Sequence, residues 1–314
     1  MMHRVINRLR RMLAPSESLL ERQIVLTASM LAQLNRGKTW LDALYKAEFS
    51  GFSQWGEDGI IDWLIDRLPS LPPTFVEFGV GDYRESNTRL LLQLRNWRGL
   101  VMDGSAEHIA NIQNQDIYWR YDLTAKCALL DRENINKLIL DAGFRDEIGL
   151  LSVDIDGNDY WVWQAIDVIN PIIVVCEYNA VFGDKYQVSI PYEATFQRTR
   201  AHYSNLYFGA SLPALVTLGE AKGYKLVGTN SHGCNAFFVR NDHAQKVLDS
   251  LEGVRSYPSR IREARDANGL LTFARGGERA KIICQLPVHD FATNKIRSIE
   301  ELGSLYSAEW AKVQ

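Results

Sequence analysis

The sequence has no paired cysteines. Its four, Cys127, Cys176, Cys234 and Cys284, lie far apart and form no C-x-x-C spacing. Neither a disulfide framework nor a thiolate zinc site is suggested, and a reduced, cytoplasmic setting is expected. Cys176 lies inside the apolar run Ile172-Ile173-Val174-Val175-Cys176 and reads as a buried small hydrophobe. No apolar run approaches the length that spans a bilayer. There is no excess of one charge either. Lys and Arg total 35 against 38 Asp and Glu, a net charge of −3, which argues against a general nucleic-acid binder. Internal repeats and low-complexity tracts are absent. One further absence is local. After Gly79 and Gly81, the third glycine of G-x-G-x-x-G would fall on Arg84, so a pyrophosphate cradle is not expected.

What is present is the run Phe75-Val76-Glu77-Phe78-Gly79-Val80-Gly81-Asp82. An apolar strand ends near an acid, and two glycines follow. Without a Cβ they let the backbone turn sharply and approach a ligand. A helical pattern follows from about Asn87 to Trp97. This is how an open α/β sheet holds a nucleotide-like cofactor beyond its first strand. Glu77 suits a cationic amino-acid-like group or a hydroxyl better than a phosphate.

The 314 residues are 46% hydrophobic, enough for one large domain plus additions. Strands are expected at 74–79, 99–103, 117–122, 149–154 and 172–177, with a closing pair at 224–228 and 236–240. Helices are expected at about 105–113, 128–142, 159–166 and 213–222. The alternation predicts an α/β fold, a largely parallel sheet with helices on both faces. From Asn241 onward the pattern is helical, with no clear sheet element. We therefore divide the chain into a helical N-terminal appendage (1–50), a Rossmann-like domain (51–240) and a helical C-terminal extension (241–314). In the appendage, Arg4, Arg8, Arg10 and Arg11 interleave with Val5, Ile6, Leu9, Met12 and Leu13. The stretch is basic and amphipathic and lacks the apolar core of a secretion signal. It suits a packed or solvated helix, or peripheral contact with an anionic membrane. Pro15 divides it from a second helix at 18–35, opened by the spacing Ser18-Leu19-Leu20-Glu21. Assembly into a homo-oligomer is a second role for this region.

Acids recur at the expected strand ends. Asp103 stands 22 residues beyond Gly81, close to the spacing at which a carboxylate grips ribose hydroxyls. Asp122 closes the expected third strand, in place to accept from an adenine amino group. Asp154 and Asp156 follow the fourth strand, and Glu177 and Asn179 the fifth. Asp154, Asp156, Glu177 and Asn179 form a hard-oxygen set of the kind Mg²⁺ takes. Asp159 reads as a helix cap. His232, in the loop Asn230-Ser231-His232-Gly233-Cys234-Asn235, is the first candidate for a general base, His202 the second, and Asp154 a further catalytic candidate. Tyr178, Tyr186, Tyr192, Tyr203 and Tyr207, with Arg198 and Arg200, suit a polyhydroxylated acceptor or a protein interface. Trp161 and Trp163 read as core.

With these residues the chain resembles the class I S-adenosylmethionine-dependent methyltransferases, and most closely their FkbM-like branch. The resemblance runs from about Ser53 to Arg240. It rests on Ser53-Gln54-Trp55-Gly56-Glu57-Asp58, Val76-Glu77-Phe78-Gly79-Val80-Gly81, Ser152-Val153-Asp154-Ile155-Asp156-Gly157-Asn158-Asp159 and Val175-Cys176-Glu177. The branch commonly has Asp-x-Glu-Gly where this chain has Asp154-Ile155-Asp156-Gly157. The resemblance implies a seven-stranded sheet with an antiparallel last strand. It implies Glu77, Gly79 and Gly81 along the methionine part of the cofactor, Asp103 on the ribose and Asp122 near adenine, with Gln54 and Glu57 in the same cofactor set. The strand-end acids also resemble the metal sites of catechol-type O-methyltransferases, although Tyr178 separates Glu177 from Asn179. The expected activity is S-adenosylmethionine-dependent O-methylation of a sugar hydroxyl on a glycan or glycolipid, in polysaccharide biosynthesis. The alternatives are a nicotinamide-dependent oxidoreductase, which Arg84 disfavours, and a non-catalytic assembly subunit with this fold.

Overall fold

The computed structural model of the chain describes residues 2–68 and 70–313, with side chains from residue 19 onward. Ten strands form two sheets. The strands are β1 (Thr74–Phe78), β2 (Arg98–Asp103), β3 (Leu123–Cys127), β4 (Asp146–Val153), β5 (Ile169–Glu177), β6 (Val188–Ser189), β7 (Tyr224–Thr229), β8 (Asn235–Arg240), β9 (Pro287–Asp290) and β10 (Lys295–Ser298). The large sheet has the order β3-β2-β1-β4-β5-β8-β7. Its first five strands are parallel, and β8 runs antiparallel to both β5 and β7.

Strands buried on both faces read as continuous apolar runs because each face needs its own core. Phe75, Val101 and Leu150 face one layer with Ile60, Ile61, Trp63 and Leu64 of the helix Glu57–Arg67. Val76, Phe78, Met102 and Val153 face the other, against Trp161 and Trp163. The strand-to-helix alternation and the seven-stranded sheet are as expected. All four cysteines are free, and Cys176 is fully buried.

Four expectations are corrected. Residues 117–122 are not a strand. Asp116–Arg120 is a helical turn closed by an Arg120–Asp116 pair at 2.6 Å, and the edge strand β3 follows it. Its sequence, Leu-Thr-Ala-Lys-Cys, alternates buried and half-buried positions rather than forming a hydrophobic run. The helices expected at 87–97 and 128–142 shrink to Arg89–Arg95 and Ile135–Asp141, because the residues before them are spent on turns. The C-terminal extension does contain sheet. β9 and β10 pair with each other, and β9 pairs with β6. Strands this short leave almost no periodic signal. Finally, Met2–Arg36 is one helix, α1, rather than two separated at Pro15. The expected basic face of residues 4–13 lies outside the described side chains.

Candidate active site

The parallel strands all end at one rim. There Gly79 and Gly81 adopt φ +73° and +53°. A Cβ on Gly79 would stand 1.6 Å from the carbonyl oxygen of Asp154, so only glycine lets the loops after β1 and β4 meet. Gly81 opens on empty space. Its N–H donates to Asp103 Oδ2 at 2.9 Å, while Asp103 Oδ1 accepts from the Ser105 N–H at 2.8 Å and lies 3.1 Å from His108 Nδ1. Two cavities lie along this rim. One, of about 330 Å³, is lined by Gly79, Gly81, Asp103, His108, Leu129 and Phe196, among others. The second, of about 310 Å³, is lined by Gln54, Glu77, Glu85, Asn87, Glu177, Arg198 and Asn235. They share Gly79, Asp154 and Asp156.

Three buried carboxylates here draw a donor to each role they play. Glu77 accepts from Ser86 Oγ, the Asn87 N–H and Thr88 Oγ1 at 2.9, 2.9 and 2.5 Å. Burial still pushes its carboxyl up. Glu57 accepts from the Trp55 N–H and the Asn230 and Asn235 amides at 2.8, 2.7 and 3.0 Å. Asp58 Oδ2 accepts the N–H groups of Gly51, Phe52 and Ser53 at 2.8, 2.6 and 2.8 Å. The Ser53–Asp58 motif is thus a self-clipped loop that presents Gln54 to the second cavity. Glu57, expected with the cofactor, lines neither cavity, because a buried carboxylate is held by the amide donors around it.

Asp154 and Glu177 behave differently. No donor among the described residues reaches the Asp154 carboxylate, and Glu177 Oε2 is buried without a partner. Both carboxyls are pushed well up, first by burial and then by neighbouring carboxylates, Asp156 and Asp159 among them, with Arg198 opposing. Asp159 accepts from the Ile155 and Gly157 N–H groups at 2.8 and 2.9 Å, so its carboxylate reaches back over the preceding loop instead of capping its helix. Burial pushes it up to about 6. One oxygen each of Asp154, Asp159 and Glu177 lies within 4.8 Å of the others. Asn235 stands directly across from Glu177 on β8, and its Oδ1 is also buried without a partner. The three carboxylate oxygens are of the hard kind that divalent cations take.

The expected metal set is therefore changed. Asp156 is exposed, at φ +55°, and turns to Arg198 Nη1 at 2.5 Å. Asn179 spends its amide on the carbonyls of Leu206 and Phe208 and on the Val181 N–H. The carboxylates that do lie together are Asp154, Asp159 and Glu177.

The histidines also lie elsewhere. The β7–β8 loop is pinned by Glu48, which accepts from Ser231 Oγ at 2.8 Å, and by Glu57. This turns His232 onto Trp55, ring to ring at 4.4 Å, and burial lowers its pKa. His202 Nδ1 lies 2.8 Å from Ser204 Oγ. Neither lines the two rim cavities. Asp122 is a clearer miss. It precedes β3, at the opposite end of the sheet, with a side chain 71% exposed and 3.7 Å from Arg98 Nε. Tyr178 and Tyr207 are buried and donate to the carbonyls of Tyr257 and Pro287; Trp161 and Trp163 are core. Arg198, weighed as a contact for an acceptor or a protein interface, joins the rim to the C-terminal extension, stacking on Phe208 and pairing with Glu263 at 3.0 Å.

No known family matches the chain, and no curated protein matches it. Among solved structures, the N-terminal domain of EvdMO1 with SAH bound is 12% identical, with a TM-score of 0.41 over 70% of this chain and 95% of that one. The DszA carbon methyltransferase is 16% identical, with a TM-score of 0.37 over 59% and 53%. An S-adenosylmethionine-dependent methyltransferase from Clostridium acetobutylicum is 9% identical, with a TM-score of 0.36 over 59% and 90%. The chain itself has a Rossmann-like α/β fold, given by its strand order and antiparallel β8.

Proposed function

We propose that the chain is an S-adenosylmethionine-dependent methyltransferase acting on a hydroxyl of a saccharide or glycolipid. The observation that carries this reading is the junction at Asp154. An undonated carboxylate with a raised pKa stands where two cavities meet, one lined by the glycine turn and Asp103, the other by polar groups. The first cavity would take the adenosyl part, with Asp103 toward the ribose. The second would take the acceptor, with Gln54 and Asn235 to orient it. S-adenosylmethionine supplies an electrophilic methyl group when bound. The protein's part is to align the hydroxyl and remove its proton. Asp154 Oδ is the base in this reading, in place of His232, because a raised carboxyl takes a proton more readily. In the variant of this reading in which Asp154, Asp159 and Glu177 hold Mg²⁺, the ion would acidify the hydroxyl and Asp154 would serve as its ligand instead of as the base. The sugar acceptor follows from the family resemblance alone.

The nicotinamide reading fares worse. The helix after the glycine turn starts only at Arg89, so no helix N-terminus sits at the turn to receive a pyrophosphate. Calorimetric titration with S-adenosylhomocysteine and with NAD decides between the two. We expect S-adenosylhomocysteine to bind, with at least a tenfold loss in Asp103→Ala. Binding of NAD alone would overturn the proposal. Transfer of labelled methyl to a glycan pool, absent in Asp154→Asn, separates an enzyme from an assembly subunit.

A further inference from the structure

The helix α1 has two apolar faces, and the protein uses only one. Ala28 and Ala32 are buried, and Ile24 and Val25 pack with them against Phe52 and Leu90. On the other side, Leu19, Leu20, Leu26, Met30 and Leu34 are each between 58% and 69% exposed. At 3.6 residues per turn these five fall within an arc of about 120°. In the sequence the same spacing runs back through Met12, Leu9 and Val5.

Charge is distributed unevenly along the chain. The first 36 residues hold six arginines against two glutamates, a net charge of +4, which leaves −7 on the rest from a total of −3. Arg22 borders the apolar stripe beside Leu26 and has no ion-pair partner among the described residues. A cavity of about 620 Å³ opens along that flank, between α1 and the segments 84–94 and 114–121, walled by Val25, Leu26 and Leu94 and bordered by Arg22, Arg84 and Arg120. Among the described residues, Arg84 and Arg120 form ion pairs only with exposed Asp82 and Asp116. Such pairs hold weakly and exchange readily for phosphate.

We propose that α1 lies in the surface of an anionic bilayer, with Leu19, Leu20, Leu26, Met30 and Leu34 among the acyl chains and the arginine flank on lipid phosphates. The combination of a wide apolar arc, a basic border and no helix apolar enough to cross a membrane among the described residues is that of an in-plane helix. A second copy fits less well. Leu26, Met30 and Leu34 step by four, whereas a paired coiled coil needs alternating steps of three and four. A positive border would also face its own copy. The proposal is independent of the methyl-transfer reading.

The test is flotation of the full chain with vesicles of phosphatidylcholine, with and without phosphatidylglycerol. We expect the chain to float with the anionic vesicles at low salt and to be released as salt screens the arginines. The variant Leu26→Glu/Met30→Glu/Leu34→Glu should lose at least about tenfold in partitioning, and Arg22→Glu about fivefold. All four positions lie off the packed face, and an unchanged thermal melt checks that the fold is intact. Failure to float at low salt would overturn the proposal. So would a triple variant that floats like the wild type. Light scattering that shows a dimer, turned to monomer by the triple variant with vesicle binding unchanged, would give the stripe to a second copy instead.

Discussion

Two groups of carboxylates, one buried and one half-buried, stand under opposite conditions near the ends of the parallel strands. Glu57, Asp58 and Glu77 each collect donors from backbone, hydroxyl or amide groups. Asp154 directly follows β4 and Glu177 is the last residue of β5; both are half-buried among other acids, and no donor among the described residues reaches the Asp154 carboxylate or Glu177 Oε2. Burying a carboxylate with its hydrogen bonds made is a way to fix a loop. Burying one without them is costly, and sequences retain such groups where something else will bind them. The first group fixes loops. The second, in the function proposed above, would meet a proton, a cation or a substrate hydroxyl.

The sharpest way to break this comparison is to neutralise one member of each group. Asp154→Asn should lower methyl transfer by roughly 10²–10⁴-fold. Its melting temperature should stay level or rise, because a repelling buried charge disappears. Label transfer and thermal denaturation read the two halves. A variant that melts early while the rate falls only slightly would move Asp154 into the scaffold. Asp58→Ala should show the reverse. Three backbone N–H groups lose their acceptor, and stability should drop by about 3 kcal/mol in urea unfolding.

The pH dependence sharpens the comparison further. Asp159 and Asp58 are both pushed from their ordinary 3.8 up to about 6, and Asp154, Glu177 and Glu77 are also raised. Raised carboxyls bind protons more tightly in the folded chain than in the unfolded one. Their stabilising contribution is full below about 3.8 and is lost as pH rises through about 6. Acidifying from pH 7 to about 5.5 should therefore stabilise the fold, by on the order of 1–2 kcal/mol, and raise the melting temperature. Asp154→Asn/Glu177→Gln should reduce that dependence to the part carried by Asp58, Asp159 and Glu77. Mg²⁺ at neutral pH should raise the melting point of the wild type and leave the double variant unmoved.

How much of this was legible in the sequence depends on how far each residue's partners lie along the chain. The parallel strands were legible because burial on both faces writes an apolar run. Gly79, Asp103 and Asp154 were legible because a strand end, a turn and an acid adjoin in sequence. Asn235 was not. It enters the site only through its register with Glu177 across an antiparallel pair, which no local pattern records. Glu57 was read with the cofactor because its donors, Asn230 and Asn235, stand more than 170 positions away. Asp159 was present in the spacing Asp154, Asp156, Asp159, but a helix-start acid has an ordinary reading that hid the second one.

Asp122 gives the smallest effect and the cleanest control. It and Asp103 were both read as acids at the ends of strands. One closes β2 and holds the Gly81 N–H; the other stands before β3 begins, on the far side of the sheet. The two differ by a strand shifted along the sequence, and that shift reverses which rim the side chain occupies. Asp122→Ala removes a wide surface pair with Arg98, so stability should change by less than about 0.5 kcal/mol. S-adenosylhomocysteine affinity should stay within about twofold of wild type, where Asp103→Ala loses at least tenfold. An Asp122→Ala variant with weakened cofactor binding would mean that β3 is placed one element too late, and the ribose assignment of Asp103 would fall with it.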